Sequence, residues 1–139
     1  SSDLKGIGEM FEKLAAAGAN VDDAAAVAVV AGGNELLDGM LSNVPIGDAT
    51  KGDPHPGQLM STLKVIGPAR MGNYTFVLVG MPPDSKADVA RYGNAQEYGY
   101  QRGGKFYAPQ SYIRKGFDEK KGKARARVRS ELEQAGMLK

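Results

Sequence analysis

The stretch Gly99-Tyr-Gln-Arg-Gly-Gly104-Lys105 has the spacing of a phosphate loop, G-x-x-x-x-G-K. There, backbone N–H groups and a lysine cradle phosphate oxygens. That chemistry needs Ser or Thr after the lysine to hold magnesium, and Phe106 follows instead. The preceding Ala-Gln-Glu-Tyr is not a buried apolar strand, and Pro109 blocks a long helix directly after Lys105. Gln101–Lys105 therefore reads as a mobile basic loop. His55, the one histidine, sits between Pro54 and Pro56 with no second His and no Cys to join it, and reads as a turn residue. Glu97, beside Tyr98 and Tyr100, has the residue type of a general base. Without a convergent partner its expected task is structural, pairing with a cation or capping a backbone group. The carboxylate pairs Asp22/Asp23 and Asp118/Glu119 are adjacent in sequence, so each pair splits around a helix. No catalytic constellation assembles, so no enzyme and no cofactor is expected.

The basic C-terminal stretch has a different meaning. Residues 114–129 carry eight Lys/Arg against two acids, a local +6, whereas residues 1–113 sum to −3. The overall charge of +2 hides this polarity, which speaks of partners and orientation and not of fold. The candidate contacts are Lys120, Lys121, Lys123, Arg125, Arg127 and Arg129. Three readings stand for them: a solvated face, a nucleic-acid surface, and a surface for an acidic protein. Arg125, Arg127 and Arg129 fan over about 200° of helix at roughly 100° per residue, which suits diffuse electrostatics better than one groove-reading face. Tyr98, Tyr100, Phe106, Tyr107 and Tyr112 flank the stretch, and aromatics beside arginine are common at protein interfaces.

The elements that must position these residues follow from pattern. The 139 residues suit one domain, and a chain of this size needs no disulfide or metal staple. The absence of Cys excludes disulfides and thiolate chemistry within it. The longest apolar run, Ala24 to Ala31, is far short of the roughly 20 residues of a membrane span, and no secretory signal pattern opens the sequence. Nineteen glycines are about twice ordinary usage.

Leu4, Ile7, Phe11 and Leu14 recur at helical spacing and predict a short amphipathic helix, ended at Gly18. Asn20 offers a second N-cap, with Asp22 and Asp23 in the first turn. Val29, Leu36, Leu37, Met40, Leu41 and Val44 carry that second helix to Pro45, and Gly32-Gly33 within it predict a close helix crossing or a kink. Residues 45–57 form a Pro/Gly loop, Leu59–Leu63 a turn of helix, and residues 63–80 a hairpin turning near Gly72-Asn73. Ala95–Tyr100 suits either a strand or a helix end. A long helix is expected from Gln110, with Ile113, Phe117, Ala124, Val128 and Leu132 on one face and Gly136 past its end. No internal repeat is present. The expected architecture is a single α+β domain, residues 1–139. N-terminal helices (1–44) and a long basic C-terminal helix (110–139) pack on a small antiparallel sheet within a β-rich core (58–109).

Two stretches resemble a known family. Pro54-His55-Pro56-Gly57-Gln58-Leu59-Met60-Ser61-Thr62-Leu63-Lys64-Val65 is similar to the P-G-x-L-x-x-S/T-[IL]-x-V signature of small bacteriophage neck proteins, the head–tail joining or tail-completion components. Ala95-Gln96-Glu97-Tyr98-Gly99, followed by Ala108-Pro109-Gln110-Ser111-Tyr112-Ile113-Arg114, is similar to that family's A-x-E-[FY]-G segment and its P-x-x-[FY]-[IL]-R before a closing helix. The order of elements also agrees across nearly the whole chain. Departures are Tyr100 where Thr is frequent, and Ser111 and Gly116 where Pro and Ala are frequent. The resemblance implies a non-enzymatic virion protein, assembled in the bacterial cytoplasm, that forms a ring between the portal complex and the tail tube. Its implied partners are further copies of itself, portal-side connector proteins, tail tube or tail terminator proteins, and genomic DNA held non-specifically, with no membrane. Interface candidates are Tyr98, Gly99, Arg102, Lys105, Tyr112 and Arg114. The rival reading is a small nucleic-acid-binding module using the basic helix.

Overall fold

A computed structural model describes residues 10–17, 22–45 and 57–137. The elements run β1 (Phe11–Ala17), α1 (Asp22–Asn43), α2 (Gln58–Thr62), β2 (Lys64–Met71), β3 (Tyr74–Gly80), α3 (Ala87–Tyr98), β4 (Tyr100–Arg102), β5 (Lys105–Tyr107) and α4 (Tyr112–Gln134). This is an α+β arrangement: β1, β3 and β2 form an antiparallel sheet in that order, and β4–β5 form a separate two-stranded hairpin.

The core is built around α1. Thr75, Val77 and Val79 alternate along β3 and are buried, which is the period-two pattern of a strand with one face covered. Val29, Leu36 and Met40 on α1 are fully buried, as are Ala25 and Ala28. The adjacent glycines let both the sheet and α4 come close. A Cβ on Gly33 would lie 3.0 Å from Val77 and 3.1 Å from Val65 of the sheet. One on Gly32 would lie 2.6 Å from Leu14 of β1, 2.7 Å from Val128 and 2.9 Å from the Ala124 carbonyl oxygen of α4. Of the two expectations at Gly32-Gly33, the close crossing is what the structure has, and the helix runs on unbroken to Asn43.

About two turns further on, a Cβ on Gly39 would meet the Gly116 carbonyl oxygen at 2.6 Å. Contacts of residue 32 with 124 and of 39 with 116 make α1 and α4 antiparallel. By length and mean hydropathy α1 could cross a membrane, against the reading from contiguous apolar residues. Its buried side chains instead make it the central helix of this core.

The N-terminal helix expected through Phe11 and Leu14 is corrected. These residues lie in β1, paired with β3 from Phe11↔Gly80 to Ala17↔Tyr74. Met10, Leu14 and Ala16 are buried while Lys13 and Ala15 are exposed, an alternation that helical spacing between Phe11 and Leu14 disguises. Seven ladder positions on β3 override the helix preference of an Ala-rich segment. Leu4, Ile7, Gly18, Asn20 and the 46–56 loop with His55 lie outside the described residues.

The hairpin of β2 and β3 turns at Gly72-Asn73, as expected. Its first arm carries an irregularity between Ile66 and Ala69, where the Gly67–Pro68 peptide is cis. Proline suits this strand because β2 is an edge and needs no donor on its outer side.

Candidate functional site

The site begins at the corner where α3 meets α4. Within the stretch 58–109 expected to be β-rich, residues 84–98 form a loop and then α3, which ends at Gly99 (φ 80°) with the Gly99 N–H donating to the Ala95 carbonyl at 2.8 Å. Of the two alternatives for Ala95–Tyr100, the helix end holds up to Tyr98 and a short strand starts at Tyr100. The chain returns so that Gln110 N–H donates to the Gln96 carbonyl at 2.7 Å, and α4 then starts.

Ser111, in the N-cap position of α4, adopts φ 50° and makes no side-chain cap. The orphan N–H groups of the first turn are satisfied instead from α3. One Glu97 carboxylate oxygen accepts from Ile113 N–H at 2.7 Å and the other from Arg114 N–H at 3.2 Å. Capping of a backbone group, the structural task expected of Glu97, is therefore what it does, and a carboxylate there is also favoured by the helix dipole. Burial pushes the Glu97 carboxyl up from its ordinary value, against the two backbone hydrogen bonds and Lys115, which pull it down. Because both oxygens face backbone donors, the group holds the corner in place.

Tyr112, expected at an interface, is corrected. It is fully buried, with its hydroxyl donating to the Gly93 carbonyl at 3.0 Å. Burial, and then the charge of Glu97, raises its phenol well above the ordinary value. A ring of this size fits inside because Gly93 leaves it room: a Cβ there would sit 3.0 Å from the Tyr112 oxygen.

Two departures from the neck-protein pattern fall at this corner. Proline, fixed near φ −65°, cannot take the +50° of Ser111. At Gly116, a Cβ would run into the Met40 backbone.

From this corner projects the β4–β5 hairpin. Tyr100 pairs with Tyr107, Gln101 with Phe106, and Arg102 with Lys105. Gly103 (φ 58°) and Gly104 (φ 77°) form the two-residue turn, the positive-φ pair that tight hairpins need. The expected basic loop is thus an ordered hairpin, and Gly-Gly between aromatic and basic residues was the signal for it. The phosphate-loop spacing falls on strand, turn and strand, and the Lys105 ammonium lies 5.1 Å over the Tyr107 ring. The Tyr100 and Tyr107 rings stack at 4.7 Å. Every residue from Gln101 to Gln110 is exposed, Phe106 to 60%. Tyr98 is exposed and Gly99 half-buried at its base, with Arg102 and Lys105 at its tip.

The basic helix is largely matched by carboxylates of the same chain. Glu35 of α1 lies 3.5 Å from Lys123 and 3.7 Å from Arg127. Arg127 also reaches Glu131 at 2.9 Å, and Arg129 reaches Glu133 at 3.0 Å. Asp118 receives Lys121 at 3.6 Å and Arg114 at 3.4 Å, and Arg114 also reaches Glu12 at 3.9 Å. The Lys120 stem packs where Gly39 has no side chain, and Arg125 lines a cleft with Leu14, Ala16 and Leu132. The apolar stripe predicted for α4 is its seam: Ile113, Ala124, Val128 and Leu132 are buried and Phe117 partly so. Past it, Gly136 (φ 76°) closes the helix, with Gly136 N–H on Glu133 and Met137 N–H on Leu132.

Among the described residues, no group of three His, Asp or Glu converges to hold a metal. No family model, curated protein or solved structure matches this chain.

Proposed function

We propose that this protein is a structural component of a tailed-phage virion, assembling as a ring at the head–tail junction around the DNA channel. It would dock on portal-side connector proteins and on tail tube or terminator proteins, with no catalytic role and no cofactor. The observation that carries this reading is the β4–β5 hairpin, an aromatic and cationic arm that is exposed at every residue from Gln101 onward. Two-stranded hairpins are marginal alone in water. Burying a side chain such as Phe106 in a partner is worth about 1.5–3 kcal/mol.

The corner that fixes this arm joins the two halves of the second neck-like motif. Glu97 of A-x-E-Y-G caps the helix that Tyr112-Ile113-Arg114 begins. Such a corner suits a contact repeated identically around a ring, since each copy presents its arm at the same angle. The rival nucleic-acid module needs cations free to meet phosphates. Lys121, Lys123, Arg127 and Arg129 already lie within ion-pair distance of this chain's carboxylates.

The test is native mass spectrometry of the purified protein, alone and mixed with connector and tail proteins encoded beside it. The reading expects a closed oligomer of defined number that joins those proteins. A strict monomer that joins none of them overturns it.

A further inference from the structure

The outward face of α1 is unusual for the central helix of a core. Asp23, Val27, Asn34 and Asp38 are all exposed, and at roughly 100° per residue they fall within about 60° of one another. Val27 is 59% exposed. It lies in a cleft of about 520 Å³ with Ala26, Val30 and Ala31, walled by Pro68 of β2 and by Glu35, Arg127 and Glu131. The one wall cation, Arg127, is held by Glu35 and Glu131. From Asp22 to Asn43 the helix has four acids and no Lys or Arg.

The hairpin has the opposite character. From Gly99 to Phe117 there is no acid, and Arg102 and Lys105 sit at the tip next to Phe106. The carboxylates of the cleft wall are paired with Lys123 and Arg127, but exposed Asp23 and Asp38 leave the helix face beside its apolar floor acidic. A cationic arm with an exposed aromatic ring complements that face in both charge and polarity.

The two surfaces lie at opposite ends of one molecule. The hairpin leaves the N-terminal end of α4, beside Gly39 of α1, because Gly116 contacts Gly39. Val27 is twelve residues back along α1, about 18 Å at 1.5 Å per residue. Strands of three residues extend only about 10 Å, so the arm cannot fill its own cleft.

Resting on the ring reading above, the geometry points to a second copy of this chain as the occupant. The β4–β5 hairpin of one copy seats on the outer face of α1 of the next, with Phe106 against Val27 and Val30 and with Arg102 and Lys105 toward Asp23. A contact between two different patches is heterologous, and repeated with closure it makes a ring.

The test uses the absence of native cysteine. The full-length double variant Val27→Cys/Phe106→Cys is oxidised under native conditions and run on a non-reducing gel. Head-to-tail seating predicts a ladder of dimers, trimers and higher species up to the ring number, since each copy offers one thiol at each end. The single variants together predict dimers only. In parallel, Arg102→Glu and Asp23→Lys should each raise the concentration for half-assembly at least tenfold, and combining them in one chain should restore it.

An oligomer in which the double variant gives no ladder overturns the inference while leaving the ring reading standing. So does one in which Phe106→Cys alone cross-links, or in which the charge reversals do nothing. A wild-type chain that is monomeric at every concentration alone overturns this self-contact. If it is monomeric with the virion proteins as well, the ring reading falls with it.

Discussion

Replacing Glu97 separates its role as hydrogen-bond acceptor from its role as charge. In Glu97→Ala the buried Ile113 N–H loses its partner, which costs about 1–3 kcal/mol. The half-buried Arg114 N–H is reached by water and costs about 0.5–1 kcal/mol. The expected loss is about 1.5–4 kcal/mol, a fall in Tm of roughly 5–14 °C for a domain of this length. Glu97→Gln keeps an oxygen for Ile113 but turns an amide N–H₂ toward the Arg114 donor, so its loss is about 1 kcal/mol. Urea and thermal unfolding at neutral pH, followed by far-UV circular dichroism, measure both. Glu97→Ala within 0.5 kcal/mol of wild type would refute the capping role. Equal losses for Ala and Gln would show that the charge matters and the acceptor does not.

Three further outcomes follow from the same geometry. Gly116→Ala should cost about 1–2 kcal/mol, because overpacking against the rigid Met40 and Gly39 backbone outweighs the helix propensity gained; Gly122→Ala, with open space around it, should add about 0.5–1 kcal/mol. Denaturant midpoints check the pair. With the Glu97 carboxyl raised by burial, the folded chain holds its proton more tightly than the unfolded chain. The stability linked to this proton is therefore full below the ordinary glutamate value and lost as pH rises through the folded value, while the two capping hydrogen bonds persist at neutral pH. Glu97→Gln should remove the proton-linked part of the pH dependence of unfolding. For DNA, the α4 cations outside the ion pairs described above are Lys115, Lys120 and Arg125, and the hairpin adds Arg102 and Lys105. A monomer should therefore bind weakly, with a log–log salt slope no steeper than about −4.5 in a fluorescence titration. A slope of about −7, as if all eight cations of residues 114–129 were engaged, would restore the nucleic-acid reading.

Much of this was legible where one periodicity dominates. The α4 stripe from Ile113 to Leu132 and the turn at Gly72-Asn73 rest on side-chain size and spacing that admit one packing, whereas Gly32-Gly33 suited a crossing and a kink alike until the packed partners decided between them. The strand at Phe11–Ala17 was not legible, because Ala fits helix and strand faces alike and the ladder on β3 that decides between them is some sixty residues away. Tyr112 looked like an interface aromatic because sequence holds no sign that Gly93 leaves a space for its ring. Gly39 and Gly116 were invisible as a contact for the same reason: each is meaningful only opposite the other. The +6 of residues 114–129 was a correct count, but its partners Glu12 and Glu35 lie on elements that only the fold brings alongside.

In the proposed assembly, one copy of this chain binds the next through two different surfaces until a ring closes. The most direct measurement is the native mass of the wild-type protein as concentration is raised, alone and then with the connector and tail proteins of the proposed junction. Ring closure predicts a single multiple of the 14.7 kDa chain that does not grow further. A mass that stays at one chain throughout, or that increases without limit, would contradict it.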